Sequence, residues 1–235
     1  AQDFELQQPQ DKVSVTAGEM LNLTCTTSGV GPTGPVKWLK GWDGGNETIY
    51  EQKGTFPRVM RVVSESDTEF SIRIRDVRPE DAGTYYCVNT AVVTLQEDDV
   101  RSQLICEVLH STLTAPLRGM YQLSKALRVS PSVSVVADVP SPVEVNKTMN
   151  FTCHVKGFYP GDVAVTWLEN GMEIKVENIS QPVETPRGLF ELRSLVEVQA
   201  TEEKNGSVFT CRVVHDAQDP VSGTATLWIA APARG

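Results

Sequence analysis

The sequence predicts an all-β protein of at least two antiparallel sandwiches, and three observations support this prediction. Cys25, Trp38, Tyr85 and Cys87 follow one another in the order and spacing of an immunoglobulin sandwich, in which a disulfide joins two sheets and the indole packs against it. Short segments of alternating apolar and polar residues are separated by turn formers. The 235 residues leave room for two or more domains of about 100 residues.

The first part of the chain has the strand pattern of a variable-type domain. Apolar residues alternate around Val13 and Val15 and again around Leu21 and Leu23, which predicts two strands and a turn within residues 4–27. Residues 28–35 are rich in turn formers and predict a loop. Further strands are predicted at residues 36–40, 49–53, 58–63 and 70–74, with arginines on the solvent face; residues 49–53 are the extra strand of variable-type domains.

The segment before Cys87 predicts the corner of the sandwich. We expect the Tyr85 hydroxyl to bond a backbone group just before its own strand, as in a tyrosine corner. Arg58 either pairs with Asp81 at this end of the sandwich or lies solvated at the surface, and the sequence leaves both interpretations open.

Paired cysteines and glycosylation sequons together predict a secreted or cell-surface protein. No apolar run approaches the roughly 20 residues of a membrane span, and the first residues lack the character of a signal peptide. We therefore expect a mature ectodomain, or a fragment cut before its anchor, with the membrane anchor beyond the C-terminus. The six Asn-x-Ser/Thr sequons begin at Asn22, Asn46, Asn146, Asn150, Asn178 and Asn205.

Several stretches of the first 89 residues resemble the membrane-distal variable domain of the signal-regulatory proteins. The longest are Asp-Ala-Gly-Thr-Tyr-Tyr-Cys-Val at residues 81–88 and Phe-Ser-Ile-Arg-Ile at residues 70–74. This family comprises paired receptors of myeloid cells and some lymphocytes, with one variable-type domain followed by two constant-type domains. Shorter matches are Gly34-Pro35-Val36-Lys37-Trp38, Tyr50-Glu51-Gln52-Lys53 and Pro57-Arg58-Val59.

The last hundred residues resemble a constant-type domain. Cys-His-Val-Lys-Gly-Phe-Tyr-Pro at residues 153–160 and Cys-Arg-Val-Val-His at residues 211–215 are similar to antibody constant domains, to the membrane-proximal domains of histocompatibility molecules and to the third domain of the signal-regulatory proteins. The resemblance implies a disulfide between Cys153 and Cys211, with Trp167 as its indole. Phe209 stands where the first domain has its corner tyrosine.

The middle of the chain reads as an incomplete constant-type domain. Residues 104–110 contain a second Cys-x-Val-x-His, but Cys87 is only 19 residues upstream of Cys106, so no front half precedes it and Cys106 is left unpaired. The first domain likewise lacks its last hairpin. The predicted divisions are residues 1–89 (variable-type), 90–130 (back half of a constant-type domain), 131–230 (constant-type) and 231–235 (start of a stalk).

A block missing near Asn89 and Thr90 leaves three interpretations open. Residues 91–95 could take the vacant strand position of the first domain. Two chains could exchange strands, with Cys106 bridging them. Alternatively, the natural protein carries residues that this sequence lacks, and Cys106 then has its ordinary partner.

The family resemblance implies recognition of a protein on another cell through the tip of the first domain. Integrin-associated protein is the implied partner class, in immune regulation of myeloid cells at the cell surface; a secreted isoform is also compatible. Gly31 and Thr33 are smaller than the apolar residues usual in the family. The candidate ligand-binding residues are Val30, Gly31, Pro32, Thr33, Gln52, Lys53, Asp67 and Thr68.

Other classes of function fit the sequence less well. A non-binding, activating or decoy member of the family with another ligand is the main alternative, and an antigen-receptor or histocompatibility-type chain is a weaker one. A net charge of −9 disfavours nucleic acid. Three scattered histidines without metal-ligand spacing, and the absence of Gly-x-Ser-x-Gly, argue against an enzyme, a cofactor or a small-molecule substrate.

Overall fold

A computed structural model describes residues 3–31, 34–41, 45–110, 112–176 and 179–231. The chain forms two compact units, residues 1–94 and residues 95–235. In the described ranges, regular structure consists of strands and short 3-10 turns. The predicted all-β class of tandem immunoglobulin-like sandwiches is confirmed.

The first unit is a sandwich of two three-stranded sheets. One sheet has the order β2-β7-β6 and the other β5-β4-β8, while β1 pairs with β3. The strands are β1 (Glu5–Gln7), β2 (Leu21–Leu23), β3 (Thr26–Ser28), β4 (Val36–Lys40), β5 (Glu47–Tyr50), β6 (Val59–Arg61), β7 (Ile72–Ile74) and β8 (Tyr85–Asn89).

A disulfide and a tryptophan form the centre of this sandwich. Cys25 and Cys87 are bonded, with a Cα–Cα distance of 6.3 Å. Trp38 is buried, and its indole N–H donates to the Phe70 carbonyl at 2.9 Å. The Tyr85 hydroxyl donates to the Asp81 carbonyl at 2.6 Å, which is the predicted corner bond.

The strand predicted around Val13 and Val15 does not form. In the described chain no strand lies between Gln7 and Leu21, and Val13 is exposed. A segment becomes a strand only when a neighbour pairs with its backbone groups. In the described chain no strand pairs with the segment around Val13 and Val15.

The two arginines of the β6 region are bound rather than solvated. Arg58 forms a bidentate pair with the Asp81 carboxylate, at 2.7 and 2.9 Å. This pairing lowers the pKa of Asp81 to about 2. Arg61, predicted to face solvent, instead lies over the Phe70 ring at 4.6 Å, because its guanidinium finds carbonyl acceptors in the loop before β7.

The second unit begins with a short turn and a hairpin, in the region predicted to be the back half of a constant-type domain. A 3-10 turn (Glu97–Arg101) is followed by β9 (Gln103–Val108) and β10 (Leu117–Gln122), which pair as an isolated two-stranded sheet. Residues 91–95 form no strand, so the interpretation that they replace the missing strand is wrong.

Val100, in the 3-10 turn, is buried and packs against Gly188. A Cβ added to Gly188 would lie 2.8 Å from the Cγ1 atom of Val100.

The rest of the second unit is a complete constant-type sandwich. Its sheets have the orders β11-β12-β16-β15 and β14-β13-β17-β18. Cys153 and Cys211 are bonded across them, and the buried Trp167 donates to Ser194 Oγ at 2.9 Å. The strands are β11 (Ser132–Ala137), β12 (Thr148–Phe158), β13 (Val163–Glu169), β14 (Met172–Ile174), β15 (Val183–Glu184), β16 (Phe190–Gln199), β17 (Val208–His215) and β18 (Val221–Thr226).

The described residues include no helix with the length and apolar character needed to cross a bilayer. Residues 232–235, which belong to the predicted stalk, lie outside the described ranges.

Candidate functional site

One end of the first sandwich carries a cavity of about 550 Å³. The end of β8 and the start of β4 border it, together with the N-terminal segment, the end of β5 and the loop before β7. Its lining residues are Phe4, Thr27, Gly34, Pro35, Val36, Trp38, Tyr50, Gln52, Arg61, Ser66, Asp67, Phe70 and Asn89. We call this end of the sandwich the tip.

Backbone contacts between the β4 and β8 ends fix one wall of the cavity. Val36 pairs with Asn89, and the Asn89 amide donates to the Gly34 carbonyl at 3.2 Å. The Thr90 N–H donates to the Pro35 carbonyl at 3.1 Å. A Cβ on Gly34 would lie 1.6 Å from the Thr90 carbonyl oxygen, so the close approach of these two segments requires glycine at this position.

The first tip loop packs against the N-terminal segment. Val30 forms a parallel bridge with Asp3, yet its side chain is 77% exposed. A Cβ on Gly31 would lie 2.7 Å from the Phe4 Cβ. Phe4 thus takes the space that a larger side chain at position 31 would need. Pro32 and Thr33 lie outside the described residues.

Two of the predicted ligand residues meet at the cavity. Gln52 and Asp67 both line it and both are exposed. Lys53 and Thr68 are exposed beside them without lining the cavity. The tip therefore presents an amide and a carboxylate in a cavity lined by both polar and apolar residues. The Lys53 ammonium group is exposed next to Gln52 in the sequence, and Val30 is exposed in the first loop.

A network of hydrogen bonds holds the loop that carries Asp67. The Thr27 N–H donates to the Thr68 carbonyl at 2.8 Å, and Ser66 Oγ accepts from the Glu69 N–H at 3.0 Å. Arg61 Nη2 donates to the Ser66 carbonyl at 2.7 Å and also to the Glu69 carbonyl. Arg61 is therefore a positioning residue that sequence reasoning missed. The alternating pattern around Arg61 indicated only that it lies in a strand. The carbonyl groups that it binds belong to Ser66 and Glu69 of the following loop, which the pattern does not predict.

The tip offers hydrogen-bonding and apolar contact groups but no metal site. Among the described residues, no group of three or more His, Cys, Asp and Glu side chains could hold a metal ion. His215 is buried in the second unit, with Nε2 2.8 Å from the Pro160 carbonyl oxygen. The described groups at the tip can make hydrogen bonds and apolar contacts to another molecule.

The sequons are distributed over both units and stay predictions as glycosylation sites. Asn22 and Asn46 are exposed in the first unit, and Asn146 and Asn205 in the second. The side chain of Asn150 donates to Asp138 Oδ2 at 3.0 Å. Asn178 lies outside the described residues.

Comparison with known protein families identifies two domain types. Residues 7–103 match the immunoglobulin V-set domain, and residues 133–218 match the immunoglobulin C1-set domain. The solved structure of IgNAR antibody domain C3 aligns with 43% of this chain and 98% of its own, at 23% identity and a TM-score of 0.39.

Curated relatives align with nearly the whole chain. Tyrosine-protein phosphatase non-receptor type substrate 1 of Bos taurus is 33% identical over 328 aligned residues, which cover 99% of this chain and 64% of the relative. Signal-regulatory protein beta-1 of Homo sapiens is 31% identical over 322 residues, which cover 97% of this chain and 80% of the relative. Both alignments are longer than the 235 residues of the chain, by about one immunoglobulin domain.

Proposed function

Because the chain belongs to the signal-regulatory protein family of immunoglobulin-type immune cell-surface receptors, we propose that it recognises a protein on another cell through the tip of its first sandwich. The chain spans 64% of the length of its bovine relative, so this activity is inferred for the ectodomain portion at hand. Ectodomains of this receptor family are not enzymes, and the family membership supports a role in recognition.

The proposal rests on one observation, the meeting of Gln52 and Asp67 at the tip cavity. These residues come from the β5 end and the loop before β7, more than ten residues apart in sequence. Protein interfaces concentrate their binding energy in a few anchors that fill pockets, surrounded by polar contacts. A cavity of about 550 Å³ with an amide and a carboxylate in its lining offers polar and apolar contacts to such an anchor.

Integrin-associated protein is the partner that we propose. The support is the family resemblance of residues 50–53, where Gln52 and Lys53 match the family pattern. The chain differs from that pattern at Gly31, where Phe4 occupies the space. It also lacks the hairpin loop that would follow β8, since no strand forms between Asn89 and Gln103 in the described chain.

The missing loop favours a second candidate function, that of a family member with a different ligand or a decoy role. Losing one of the anchors can remove most of the affinity of an interface. Under this second hypothesis the fold and the family membership are the same, and only the identity of the partner differs.

A binding titration separates the two candidates. The secreted, glycosylated chain is titrated against the immobilised ectodomain of integrin-associated protein, beside the variants Lys53→Ala and Asp67→Ala. Saturable binding that each variant weakens by about tenfold, equivalent to about 1.4 kcal/mol, supports the proposal. The matched control is Arg78→Ala, which also removes a positive charge but lies before the corner turn at the other end of β8.

Absence of binding at micromolar concentrations of correctly folded protein would contradict integrin-associated protein as the partner. Binding that is equally insensitive to Lys53→Ala, Asp67→Ala and Arg78→Ala would contradict the tip as the contact surface.

A further inference from the structure

The side chain of Trp228 is exposed at the end of the C-terminal sandwich. It follows β18 and is 53% exposed, whereas Trp38 and Trp167 are each 1% exposed. Its backbone is fixed, because the Trp228 carbonyl accepts a hydrogen bond from the Val143 N–H at 2.8 Å. Tryptophan has a large apolar surface, and an exposed one on a rigid backbone is typical of a contact site.

A turn that carries a glycosylation sequon lies against this indole. The sequon consists of Asn205, Gly206 and Ser207, and the Ser207 N–H donates to the Lys204 carbonyl at 2.9 Å, which closes the turn. Gly206 has a φ of +81°, as the third position of a type II turn requires. A Cβ added to Gly206 would lie 3.8 Å from the Cζ3 atom of Trp228, so the six-membered part of the indole borders the turn.

Hydrogen bonds tie this turn to the segment that carries Trp228. The Gly206 N–H donates to the Leu227 carbonyl at 2.8 Å, and the Leu227 N–H donates to the Ser207 carbonyl at 2.9 Å. The Asn205 side chain adds a third bond, because its Oδ1 accepts from the Ile229 N–H at 2.9 Å. Since Trp228 lies between Leu227 and Ile229 in the chain, the Asn205 amide is held next to the residue that carries the indole.

The nitrogen atom to which a glycan attaches is free on Asn205. The residue is exposed, and its Nδ2 has no hydrogen-bond partner within the described part of the chain. By contrast, the Nδ2 of Asn150 donates to Asp138 Oδ2 at 3.0 Å. A sugar on Asn205 leaves the Oδ1 bond to Ile229 intact. That bond limits the rotation of the side chain and therefore orients the first sugar ring.

We propose that Asn205 carries an N-linked glycan and that its first sugar ring, an N-acetylglucosamine, packs on the exposed indole of Trp228. One face of a pyranose ring consists of apolar C–H groups, which match the flat surface of an indole. The hydroxyl groups at the edge of the sugar ring stay in water. The contact covers apolar surface that otherwise faces solvent, and so it stabilises the C-terminal sandwich.

The size of the exposed surface favours an attached sugar over a protein partner. A stable protein interface buries about 800 Å² on each side, far more than one indole offers. A sugar that is covalently attached beside the indole has a high effective concentration and loses little freedom on contact. A small contact is therefore sufficient to hold it.

The glycan comes from a lipid-linked diphosphate donor of the secretory pathway. The Asn205 Nδ2 attacks the anomeric carbon of the first N-acetylglucosamine. An N–C bond forms while the bond from that carbon to the diphosphate oxygen breaks, and the lipid diphosphate leaves with the electron pair. One Nδ2 proton passes to a base of the transferase, and the other stays on the amide.

The test compares three glycoforms of the secreted full chain, made with uniform high-mannose glycans. Mass spectrometry of the glycopeptide that contains Asn205 measures its occupancy. One sample keeps its glycans, one is trimmed by endoglycosidase H to a single N-acetylglucosamine per site, and one is stripped by peptide N-glycosidase. Differential scanning calorimetry measures the transition temperature of the C-terminal sandwich in each. We expect the complete and the trimmed forms to share one transition temperature, because the first sugar ring makes the contact.

Trp228→Ala isolates the contribution of the indole from that of the other glycans. Stripping should lower the transition temperature by about 4 °C more in the parent than in Trp228→Ala, the shift expected from uncovering roughly 40 Å² of apolar surface. The stripped forms of both proteins show what the indole contributes without sugar. The matched control is Val183→Ala, an apolar residue of the same sandwich that is 62% exposed and should lose as much as the parent.

A second measurement reports the contact directly. In the trimmed form, the indole ring current should shift the proton signals of one N-acetylglucosamine upfield in the NMR spectrum, and Trp228→Ala should abolish that shift. Trp228→Phe keeps a smaller ring and should show an intermediate shift, which provides a test even if the alanine variant folds poorly.

Three outcomes would overturn the proposal. One is an unoccupied Asn205 in the secreted chain. Another is a loss on stripping that is equal in the parent and in Trp228→Ala. The third is a trimmed parent in which no N-acetylglucosamine signal is shifted upfield.

Discussion

The first sandwich and the C-terminal sandwich have the same central disulfide and tryptophan but differ in the extent of their sheets. Their disulfides connect residues 62 and 58 positions apart, and Trp38 and Trp167 are each 1% exposed. The first sandwich has three-stranded sheets with strands of three to five residues. The C-terminal one has four-stranded sheets, with strands of up to 11 residues. The central disulfide and tryptophan are the same in both sandwiches. The sandwiches differ in the number and length of the strands around that centre.

The same comparison applies at the corner of each sandwich. Tyr85 bonds the Asp81 carbonyl, beside the Arg58–Asp81 pair. Its counterpart Phe209 is 1% exposed and stacks on Phe151 with a centroid distance of 4.9 Å. The first sandwich stabilises its corner by polar contacts and the C-terminal one by apolar packing, so matched substitutions should affect them in different ways.

The largest expected effect is that of removing each disulfide. The two loops have nearly equal length, so Cys25→Ala/Cys87→Ala and Cys153→Ala/Cys211→Ala should each lose about 2–5 kcal/mol of the free energy of unfolding. We expect the first sandwich to lose its cooperative transition, because it has fewer strands to compensate. The C-terminal sandwich should keep a transition at a lower temperature. Differential scanning calorimetry measures both.

Cys106→Ser is the control for this experiment, because it removes a thiol without removing either disulfide. An equal fall in the two transition temperatures would contradict the conclusion that the outer strands make the difference.

Phe209→Tyr should destabilise the C-terminal sandwich by about 1–3 kcal/mol. The new hydroxyl would be buried in an apolar stack with Phe151, where an unpaired polar group costs free energy. Differential scanning calorimetry of the transition of the C-terminal sandwich measures the loss. A variant as stable as the parent would mean that the hydroxyl finds an acceptor, as Tyr85 does.

Tyr85→Phe is the reciprocal change and should have a smaller effect, about 1 kcal/mol on the first sandwich. It removes one hydrogen bond to a carbonyl from a half-buried side chain and leaves the ring in place. Differential scanning calorimetry of the transition of the first sandwich reports the change. A loss larger than that of Phe209→Tyr would reverse the proposed contrast between the corners.

Acid should weaken the first sandwich through Asp81, an effect confined to low pH. Its pKa is lowered from 3.8 to about 2, chiefly by the hydrogen bonds from Arg58. The folded state thus favours the ionised carboxylate. The stabilisation is fully present above the ordinary pKa of the unfolded chain and is lost as pH falls through about 2. The stability difference between the parent and Asp81→Asn should therefore shrink between pH 5 and pH 2.

Asp138 of the C-terminal sandwich provides the comparison for this pH dependence. Hydrogen bonds from the Asn150 N–H and side chain lower its pKa, but the residue is exposed and pairs with no arginine of the described ranges. We expect Asp138→Asn to change the acid response of that sandwich less than Asp81→Asn changes the first. A larger change would show that the Arg58 pairing is not the main cause.

The sequence by itself determined the features that recognisable motifs carry. The Cys-Trp-Tyr-x-Cys pattern predicted the first disulfide and the Tyr85 corner, and the resemblance of residues 153–160 and 211–215 to constant domains implied the second disulfide with Trp167 as its indole. The family resemblance likewise placed Gln52 and Asp67 at the tip, where the structure brings them to one cavity.

Only the tertiary structure decided which candidate strands and charges find partners. The Val13–Val15 pattern predicted a strand that does not form, and Arg61 turned inward to carbonyls of a loop. The sequence left the Arg58–Asp81 pair open because the two residues are 23 positions apart. Strand pairing and ion pairing depend on groups from distant parts of the chain. An alternating pattern shows that a segment could pair, whereas the presence of a neighbour determines that it does.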